Sequence, residues 1–262
     1  MSVAPDPAEI FDRAVAEGER RLDQSTLELV STSFIAGFTV VFGVVALGIV
    51  EAAVEPQFGA VAGVAGALAF GPGVVFLVVG RAELFNENFF DPVATAVDAD
   101  DSWLVGSLVR LWVLTFAFNL VGGGLLVAVL SVEGALPAGA PHVLARTAEE
   151  IVGRTAAAEF VKAVAGGALV ALLSFMLAAA DGVGSRIVLA YLVGVLLTLG
   201  PFDHVVVTIL HVLFGALLGG EVGVGALAAT TAVVTAGNLV GGLGLVTLSH
   251  VAQVKGAHES DG

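Results

Sequence analysis

The side chains best suited to chemistry in this sequence lie near residue 204. His204 directly follows Asp203, and the pair comes after Gly200-Pro201 inside a long apolar stretch. Ionisable residues in such stretches are costly to insert into a membrane and are usually functional. A neutral imidazole can donate a hydrogen bond to a passing anion, or a proton that makes the anion a neutral acid. We therefore predict a role for His204 in a polar site; the alternative is a packing histidine bonded to a backbone carbonyl.

Further polar residues interrupt other apolar stretches. Lys162 lies inside one of them, where its ammonium would attract anions to a pore mouth; the alternative is that it extends to the membrane surface. Glu83, Asn86 and Asn88 lie together shortly after Gly80. We expect these three to bond the backbone of an irregular segment, as polar side chains do in such places.

The pentapeptide Asn-Leu-Val-Gly-Gly occurs twice, at Asn119–Gly123 and at Asn238–Gly242. The offset is 238 − 119 = 119 residues, and the same offset joins Phe85 to His204, since 204 − 85 = 119. A repeated motif with a repeated spacing indicates two related halves. We expect both asparagines to be structural residues that bond across helices or satisfy backbone groups next to a helix break.

The composition identifies the elements that carry these residues. The chain has 262 residues, of which 57% are hydrophobic and 13% charged, and its mean hydropathy is +0.99. A helix needs about 20 apolar residues to cross a bilayer. Six stretches are predicted to do so: Ser33–Val50, Phe58–Gly80, Trp103–Val132, Ala157–Ala180, Ile187–Leu218 and Val222–Val251.

Glycines spaced four apart predict close helix contacts at three places: Gly59/Gly63, Gly219/Gly223 and Gly237/Gly241.

Three spans in each half require the second half to enter the membrane from the opposite side. The predicted fold is therefore an all-α membrane protein with six transmembrane helices in two inverted three-helix repeats, residues 33–132 and 157–251. Pro201 inside the fifth span predicts a broken helix there. Gly80 and Asp91-Pro92 predict a second break in the second span. Inverted repeats place the substrate site near the midplane, at such broken helices.

The termini are predicted to lie in the cytoplasm. Residues 1–32 are polar and are expected to form an amphipathic cytoplasmic segment, and residues 252–262 a cytoplasmic tail, around a channel domain of residues 33–251. With the N-terminus inside, seven Lys and Arg residues fall on the inner side and three on the outer side. Positive charge accumulates in cytoplasmic loops, which favours this orientation.

Several classes of function are excluded by composition and by missing motifs. The chain has no cysteine, which removes disulfides and thiolate metal sites. A net charge of −14 argues against a nucleic-acid partner. Nucleophile, metalloprotease and nucleotide-binding motifs are missing from the sequence, and no ligand set has metal-binding spacing. We predict no enzymatic activity, no cofactor and no metal.

Four short motifs resemble those of the formate/nitrite transporter family. Residues 82–88 read A-E-L-F-N-E-N, similar to the family signature A-E-L-F-T-G-N. Phe202-Asp203-His204 resembles its F-E-H, and Asn238–Gly242 resembles its N-x-x-G-G. Phe160-Val161-Lys162, followed by Leu169-Val170, resembles its F-x-K…L-V pattern. The motifs lie in the family's order and extend the resemblance over all six spans.

The resemblance implies aquaporin-like protomers in a homopentamer, each with its own pore for small monovalent anions such as formate, nitrite or hydrosulfide. The family's central histidine matches His204, and its basic residue in the fourth span matches Lys162. Its broken second helix, whose loop can gate the pore, matches Glu83–Asn88. The chain departs from the family at pore-lining positions, with Asn86 in place of threonine and Thr208 in place of asparagine.

We accordingly predict a membrane channel or transporter for small monovalent anions, with proton coupling through the central histidine as an option. The substrate pathway is assigned to His204, Lys162, Phe85, Phe202, Thr208 and Asn86. Structural or gating roles at the helix breaks are assigned to Glu83, Asn88, Asn119, Asn238 and Pro201. The predicted partners are the anion, the lipid bilayer and further copies of the chain. Two alternatives stay open: a channel for small neutral solutes, and a non-transporting membrane protein that retains the fold.

Overall fold

The computed structural model describes residues 5–99 and 104–260, with side chains to residue 256. Its helices are α1 (Pro7–Leu22), α2 (Thr26–Phe58), α3 (Val61–Val79), α4 (Asp91–Asp98), α5 (Val105–Leu130), α6 (Ala140–Val152), α7 (Ala156–Ala179), α8 (Val183–Leu199), α9 (Val205–Leu217), α10 (Val224–Leu239) and α11 (Leu248–Ser260). A 3₁₀ segment, Phe85–Phe89, precedes α4, and a π-helical segment, Val240–Thr247, joins α10 to α11. The predicted start of the third span at Trp103, and the outermost residues of both termini, lie outside the described residues.

Five helices of the described chain are long and apolar enough to cross a membrane. They are α2, α3, α5, α7 and the continuous helix Val224–Gly256. The fifth span consists of two shorter apolar helices, α8 and α9. Large apolar side chains such as Phe42, Phe76 and Leu192 are exposed on the outside, as on surfaces that contact lipid or other protomers. The prediction of a six-span, all-α membrane protein with broken second and fifth helices is confirmed.

Each half begins with an extra helix that the six predicted spans leave out. In the first half α1 packs on α4, and in the second half α6 packs on α9. α6 lies in the segment 133–155, between the third and fourth predicted spans, where the sequence predicts a loop. The next helix is N-capped in the same way in both halves, because Ser25 Oγ accepts from Glu28 N and Thr155 Oγ1 accepts from Ala158 N.

The two breaks follow from local backbone chemistry. Arg81, just after α3, has a φ of +52°, in the left-handed region that ends a right-handed helix. Gly200 N still donates to Leu196 O at 3.0 Å, but Pro201 has no N–H with which to continue α8. The chain is then non-helical as far as Leu84 in one break and His204 in the other. Each of these two residues is the N-cap of the helix that resumes the span.

Asn119 holds the first break in place. Its Oδ1 accepts from Phe85 N at 3.0 Å, and its Nδ2 donates to Ser33 O at 2.8 Å and to Glu83 O at 2.9 Å. These bonds join α5 to α2 and to the extended segment. Backbone groups freed by a helix break inside a membrane need such partners, because no water is available to them.

Asn238 makes the corresponding bonds at the second break. Its Oδ1 accepts from Val205 N at 2.8 Å, and its Nδ2 donates to Ala163 O and Asp203 O, both at 2.7 Å. The two asparagines therefore perform the same structural task in two related halves, as expected from the repeated pentapeptide.

The bonding pattern corrects the alignment of the halves by one residue. The N–H groups that reach the asparagines belong to Phe85 and Val205, and 205 − 85 = 120. The counterpart of His204 is therefore Leu84, since 204 − 84 = 120, and not Phe85. Both residues have an extended backbone, with φ and ψ of −99° and 140° for Leu84 and −102° and 123° for His204.

Glycines allow the helices to approach the breaks closely. A Cβ atom on Gly37 would overlap the carbonyl of Asn119, and a Cβ atom on Gly167 would overlap that of Asn238. Of the three glycine pairs predicted to pack, Gly237/Gly241 does so, against α7. The prediction was wrong for the other two pairs, because a Cβ atom on Gly59, Gly63, Gly219 or Gly223 would meet no described atom within 4 Å.

Candidate functional site

His204 presents a free hydrogen-bond donor inside the protein. The residue is 1% exposed, and its Nδ1 accepts a long hydrogen bond from Val207 N at 3.5 Å, which caps α9. With Nδ1 as the acceptor, the proton of a neutral imidazole is on Nε2. Nε2 is buried and has no partner among the described residues. A buried N–H without a partner is costly, so its presence indicates a place for a ligand or water.

His204 lines a cavity of about 120 Å³, here called the second-break cavity. Two more of the predicted pathway residues, Phe202 and Thr208, line the same space, and so does His211. His211 Nδ1 lies 3.0 Å from Val207 O, so this second histidine is tied to its own helix. Apolar side chains from α2, α6 and α8 also line it, those of Leu47, Ile151 and Leu197. Threonines, the two histidines and an ion pair line the rest, so the cavity is mixed in character, with several polar groups that could orient a small ligand.

An ion pair borders the second-break cavity. Arg154 Nη1 lies 2.9 Å from both carboxylate oxygens of Asp203, and both residues line the cavity. The backbone of Asp203 is also bonded, because its N–H donates to Lys162 O at 3.1 Å. Arg154 therefore neutralises the carboxylate next to His204 and fixes the extended segment that carries both residues.

A larger cavity of about 410 Å³, here called the first-break cavity, adjoins the other break. Glu83 lines it and is 1% exposed. Its Oε1 accepts from Arg20 Nη2 at 2.9 Å and from Gln24 Nε2 at 3.1 Å. Glu83 was expected to bond the backbone of the irregular segment. Its carboxylate instead bonds side chains at the end of α1 and so connects α1 to the break.

The α1 side of the first-break cavity is a network of arginines and carboxylates. Arg20 Nη2 lies 2.6 Å from Glu17 Oε1, and Arg21 Nε lies 3.4 Å from the same oxygen. Partial burial alone would raise the pKa of Glu17, but its hydrogen bond with Arg20 and the charges of Arg21, Arg20 and Arg81 outweigh it, so the pKa is lowered. Glu17 Oε2 also lies 3.4 Å from Nη2 of Arg81, and this contact connects α1 to the first break.

The two cavities occupy corresponding places in the two repeats. Ala82 and Glu83 line the first, and Phe202 and Asp203 line the second, with 202 − 82 = 203 − 83 = 120. In each case a carboxylate at the break is bound by arginine from the segment preceding the first span of a repeat. Only the second break carries an imidazole, since the corresponding residue in the first is Leu84.

Asn86 and Asn88 are both committed to the structure of the first break. Asn86 is fully buried and its Nδ2 donates to Asn238 Oδ1 at 2.7 Å, which connects the first break to the second half. Asn88 Nδ2 donates to Leu84 O at 3.2 Å, and its Oδ1 accepts from Arg21 Nη1 at 2.8 Å. Asn88 thus bonds the backbone of the irregular segment, as expected, whereas Asn86 bonds a side chain of another helix instead.

Phe85, Asn86 and Lys162 line neither cavity. The Phe85 ring packs edge-on between Phe89 and Phe116, with centroid distances of 5.0 and 5.1 Å. Lys162 is half-buried on α7, and its backbone carbonyl accepts the bond from Asp203 described above. The structure thus brings three predicted pathway residues together and leaves these three apart from them.

Sequence reasoning missed the arginines at both breaks. In the sequence, Arg154 lies between the third and fourth predicted spans, and Arg20 and Arg21 lie in the polar segment 1–32, so nothing there connects them to the breaks. Their partners Asp203 and Glu83 are 49 and 62 to 63 residues away in the chain, because 203 − 154 = 49, 83 − 21 = 62 and 83 − 20 = 63. The repeat could have suggested such a pairing, since each break has one carboxylate that needs a cation.

Comparisons with known proteins agree with this architecture. A family model described as "Formate/nitrite transporter" matches residues 8–252. The chain is 25% identical over 254 residues to the inner membrane protein YfdC of Escherichia coli (strain K12), with 94% of this chain and 78% of that protein covered.

Two solved structures have a similar fold. One is an FNT family ion channel, with a TM-score of 0.81, 16% identity, and coverage of 94% of this chain and 98% of that chain. The other is a pentameric formate channel with formate bound, with a TM-score of 0.72, 18% identity, and coverage of 87% and 96%. The predicted aquaporin-like arrangement of two inverted repeats is confirmed by these likenesses.

Proposed function

The chain belongs to the formate/nitrite transporter family, and from that premise we propose that it conducts small monovalent anions past His204. Membership makes the chain a membrane channel or transporter. The formate bound in one structural neighbour suggests the size and charge of the solute. Formate and nitrite are the substrates we favour.

One observation carries the proposal: the Nε2–H of His204 is buried and unpaired among the described residues, and the residue lines a cavity of only about 120 Å³. An anion that enters so small a space loses hydration, and the free N–H replaces part of it. Thr208 supplies a hydroxyl to the same cavity, and the Phe202 ring narrows it. Transfer of the Nε2 proton to the anion would let it leave as a neutral acid, which is the proton-coupled form of the proposal.

The assignment of the remaining predicted residues is part of this proposal. Lys162, Phe85 and Asn86 act away from the two cavities, Lys162 by attracting anions and the other two by shaping the first break. Glu83, Asn88, Asn119, Asn238 and Pro201 define the breaks.

Both termini are proposed to lie in the cytoplasm. α1 and α11 pack together with α4 in one apolar cluster that includes Phe11, Phe90 and Val251, which supports placing both ends on one side of the membrane. The distribution of Lys and Arg favours the cytoplasm for that side. The channel domain, residues 33–251, would then assemble as a homopentamer, as the structural neighbour described as pentameric does.

A flux panel tests the proposed function. The protein in proteoliposomes is compared with empty vesicles for uptake of formate, nitrite, acetate, hydrosulfide and chloride at two pH values. We expect uptake of at least one small anion that exceeds the empty-vesicle rate. Osmotic swelling with a neutral polyol, without uptake of any anion, would instead support a neutral-solute channel. Absence of both would support a non-transporting protein.

Arg154→Gln is expected to raise the half-saturation concentration of the anion roughly tenfold. Arg154 is the only Lys or Arg among the described residues that line the second-break cavity, and its removal leaves the Asp203 charge exposed to the anion. Concentration-dependent flux is the measurement. Arg154→Lys keeps the positive charge and serves as the control. An unchanged half-saturation concentration in Arg154→Gln would show that this ion pair does not face the path.

A further inference from the structure

The carboxyl group of Glu87 has no compensating partner in the first break. The side chain is 3% exposed, Oε1 is fully buried, and no hydrogen bond or ion pair to the carboxyl occurs among the described residues. Glu87 lines the first-break cavity. Glycine occupies this position in the family signature quoted above, so the carboxyl is a feature of this chain and not of the shared motif.

The nearest cation, Arg21, is already engaged by other groups. It lies 3.4 Å from Glu17 and 3.5 Å from both Glu83 and Asp91. Its Nη1 donates to the backbone carbonyl of Glu87 at 3.1 Å, and not to the carboxyl. The guanidinium of Arg21 therefore already interacts with three carboxylates other than that of Glu87.

The local charges do not balance if Glu87 is ionised. Three arginines, Arg20, Arg21 and the exposed Arg81 that pairs with Glu17 at 3.4 Å, face four carboxyl groups, those of Glu17, Glu83, Glu87 and Asp91. The charges that act on Glu87 are those of Arg21, Glu83, Asp91 and Glu17, so three of the four repel a negative charge there. An uncompensated buried charge of this kind is strongly unfavourable, whereas a protonated carboxyl avoids that cost.

The other elements that pack against the 3₁₀ segment contribute neutral groups. Ser174 of α7 donates to the carbonyl oxygen of Glu87 at 2.9 Å. Trp112 of α5 and Thr247 of the π-helical segment donate to carbonyls of the next two residues. Asn238 of α10 bonds Asn86. None of these side chains can balance an ionised carboxylate.

The remaining cations of the first-break cavity lie on its solvent side. Arg13 is paired with Asp181 at 2.6 Å, and the side chain of Arg81 is 65% exposed. Arg186 is also exposed. No group of three His, Cys, Asp or Glu residues in the described chain is arranged to hold a metal ion.

We propose that Glu87 is a proton-binding residue of the first-break cavity and that loss of its proton inhibits anion transport. The O–H bond of the carboxyl breaks, the proton passes to water in the cavity, and the carboxylate keeps the electron pair. The new negative charge repels anions on the side of the protein opposite the second-break cavity. The transport part of this inference rests on the proposed function; the proton binding does not.

Infrared spectroscopy tests the proton binding without any transport. The C=O stretching band of protonated carboxyl groups is recorded as a function of pH for the wild type and for Glu87→Gln. We expect a band that is lost on raising the pH in the wild type and is absent from Glu87→Gln. Spectra without a difference between the two proteins would overturn the proposal. Glu87→Leu, which also lacks the carboxyl, replaces Glu87→Gln if the latter does not fold.

Flux in proteoliposomes tests the coupling to transport. Wild-type flux is expected to fall on the order of tenfold over the pH range in which the infrared band is lost. This is the repulsion that one unit charge exerts on an anion at about 10 Å with an effective dielectric constant near 20. Glu87→Gln is expected to lose this component of the pH dependence.

Glu159→Gln is the matched control, because Glu159 is also buried with an Oε1 unpaired among the described residues but lines neither cavity. It is expected to keep the wild-type pH dependence of flux. The same pH dependence in Glu87→Gln as in the wild type would overturn the coupling. Absence of flux from the wild type at every pH would contradict the proposed function, while the infrared result would still decide the proton binding.

Discussion

Replacing Asn238 with alanine is expected to lower the free energy of unfolding by about 3 kcal/mol. The amide makes four bonds, to Val205 N, Ala163 O, Asp203 O and Asn86 Nδ2, all between 2.7 and 2.8 Å. Hydrogen bonds between membrane helices contribute roughly 0.6 kcal/mol each on average, and unpaired buried backbone groups cost about 1–3 kcal/mol. The loss should appear as a lower melting temperature in detergent.

Two further variants separate this effect from general damage. Asn119→Ala removes three bonds and no link between the halves, so its melting temperature should lie between those of the wild type and Asn238→Ala. Thr235→Ala, one turn earlier on α10, removes a hydroxyl that bonds only its own helix and should have little effect. Equal melting temperatures for Asn238→Ala and Thr235→Ala would contradict the role assigned to the asparagine.

The architecture could be predicted because its causes are local or repeated. Pro201 cannot continue a helix, and the segment around it is too apolar to lie anywhere but in a membrane. The pentapeptides indicate the duplication directly, because each asparagine satisfies the backbone of a break. Odd numbers of spans in each half then require the inverted arrangement.

The register of the breaks could not be predicted to the residue. Asn119 reaches Phe85 N across 34 residues, whereas Asn238 reaches Val205 N across 33, since 119 − 85 = 34 and 238 − 205 = 33. The intervening connections differ in structure, with a 3₁₀ segment and the short α4 in one half and α9 in the other. An alignment on the pentapeptides alone therefore placed Phe85 opposite His204 instead of Leu84.

The polar surroundings of the site were also out of reach of the sequence. Arg154 and Arg20 bind carboxylates that are distant in the chain, and only the packing of α6 and α1 over the breaks brings them together. α6 itself is too short and too polar to stand out as a membrane helix. Glycine spacing was informative only for Gly237/Gly241, because that pattern does not reveal whether another helix is present beside it.

Removing the imidazole of His204 is expected to reduce anion flux about 10-fold to 100-fold. A hydrogen bond to a charged group contributes roughly 1.5–3 kcal/mol, and about 1.4 kcal/mol corresponds to a factor of ten. Alanine widens the second-break cavity, so a fall in flux cannot be attributed to obstruction. The variant also loses the N-cap of α9, which costs about 1 kcal/mol of stability and requires that folding be checked by the melting temperature.

The central claim is that the Nε2–H of His204, which is unpaired among the described residues, donates a hydrogen bond to the anion. The most direct measurement of this claim is the flux of His204→Ala in proteoliposomes, compared with that of the wild type. His211→Ala is the matched control, because this histidine lines the same cavity and is bonded to its own helix. We predict that flux falls at least about tenfold in His204→Ala and much less in His211→Ala. Undiminished flux through a correctly folded His204→Ala protein would contradict the account.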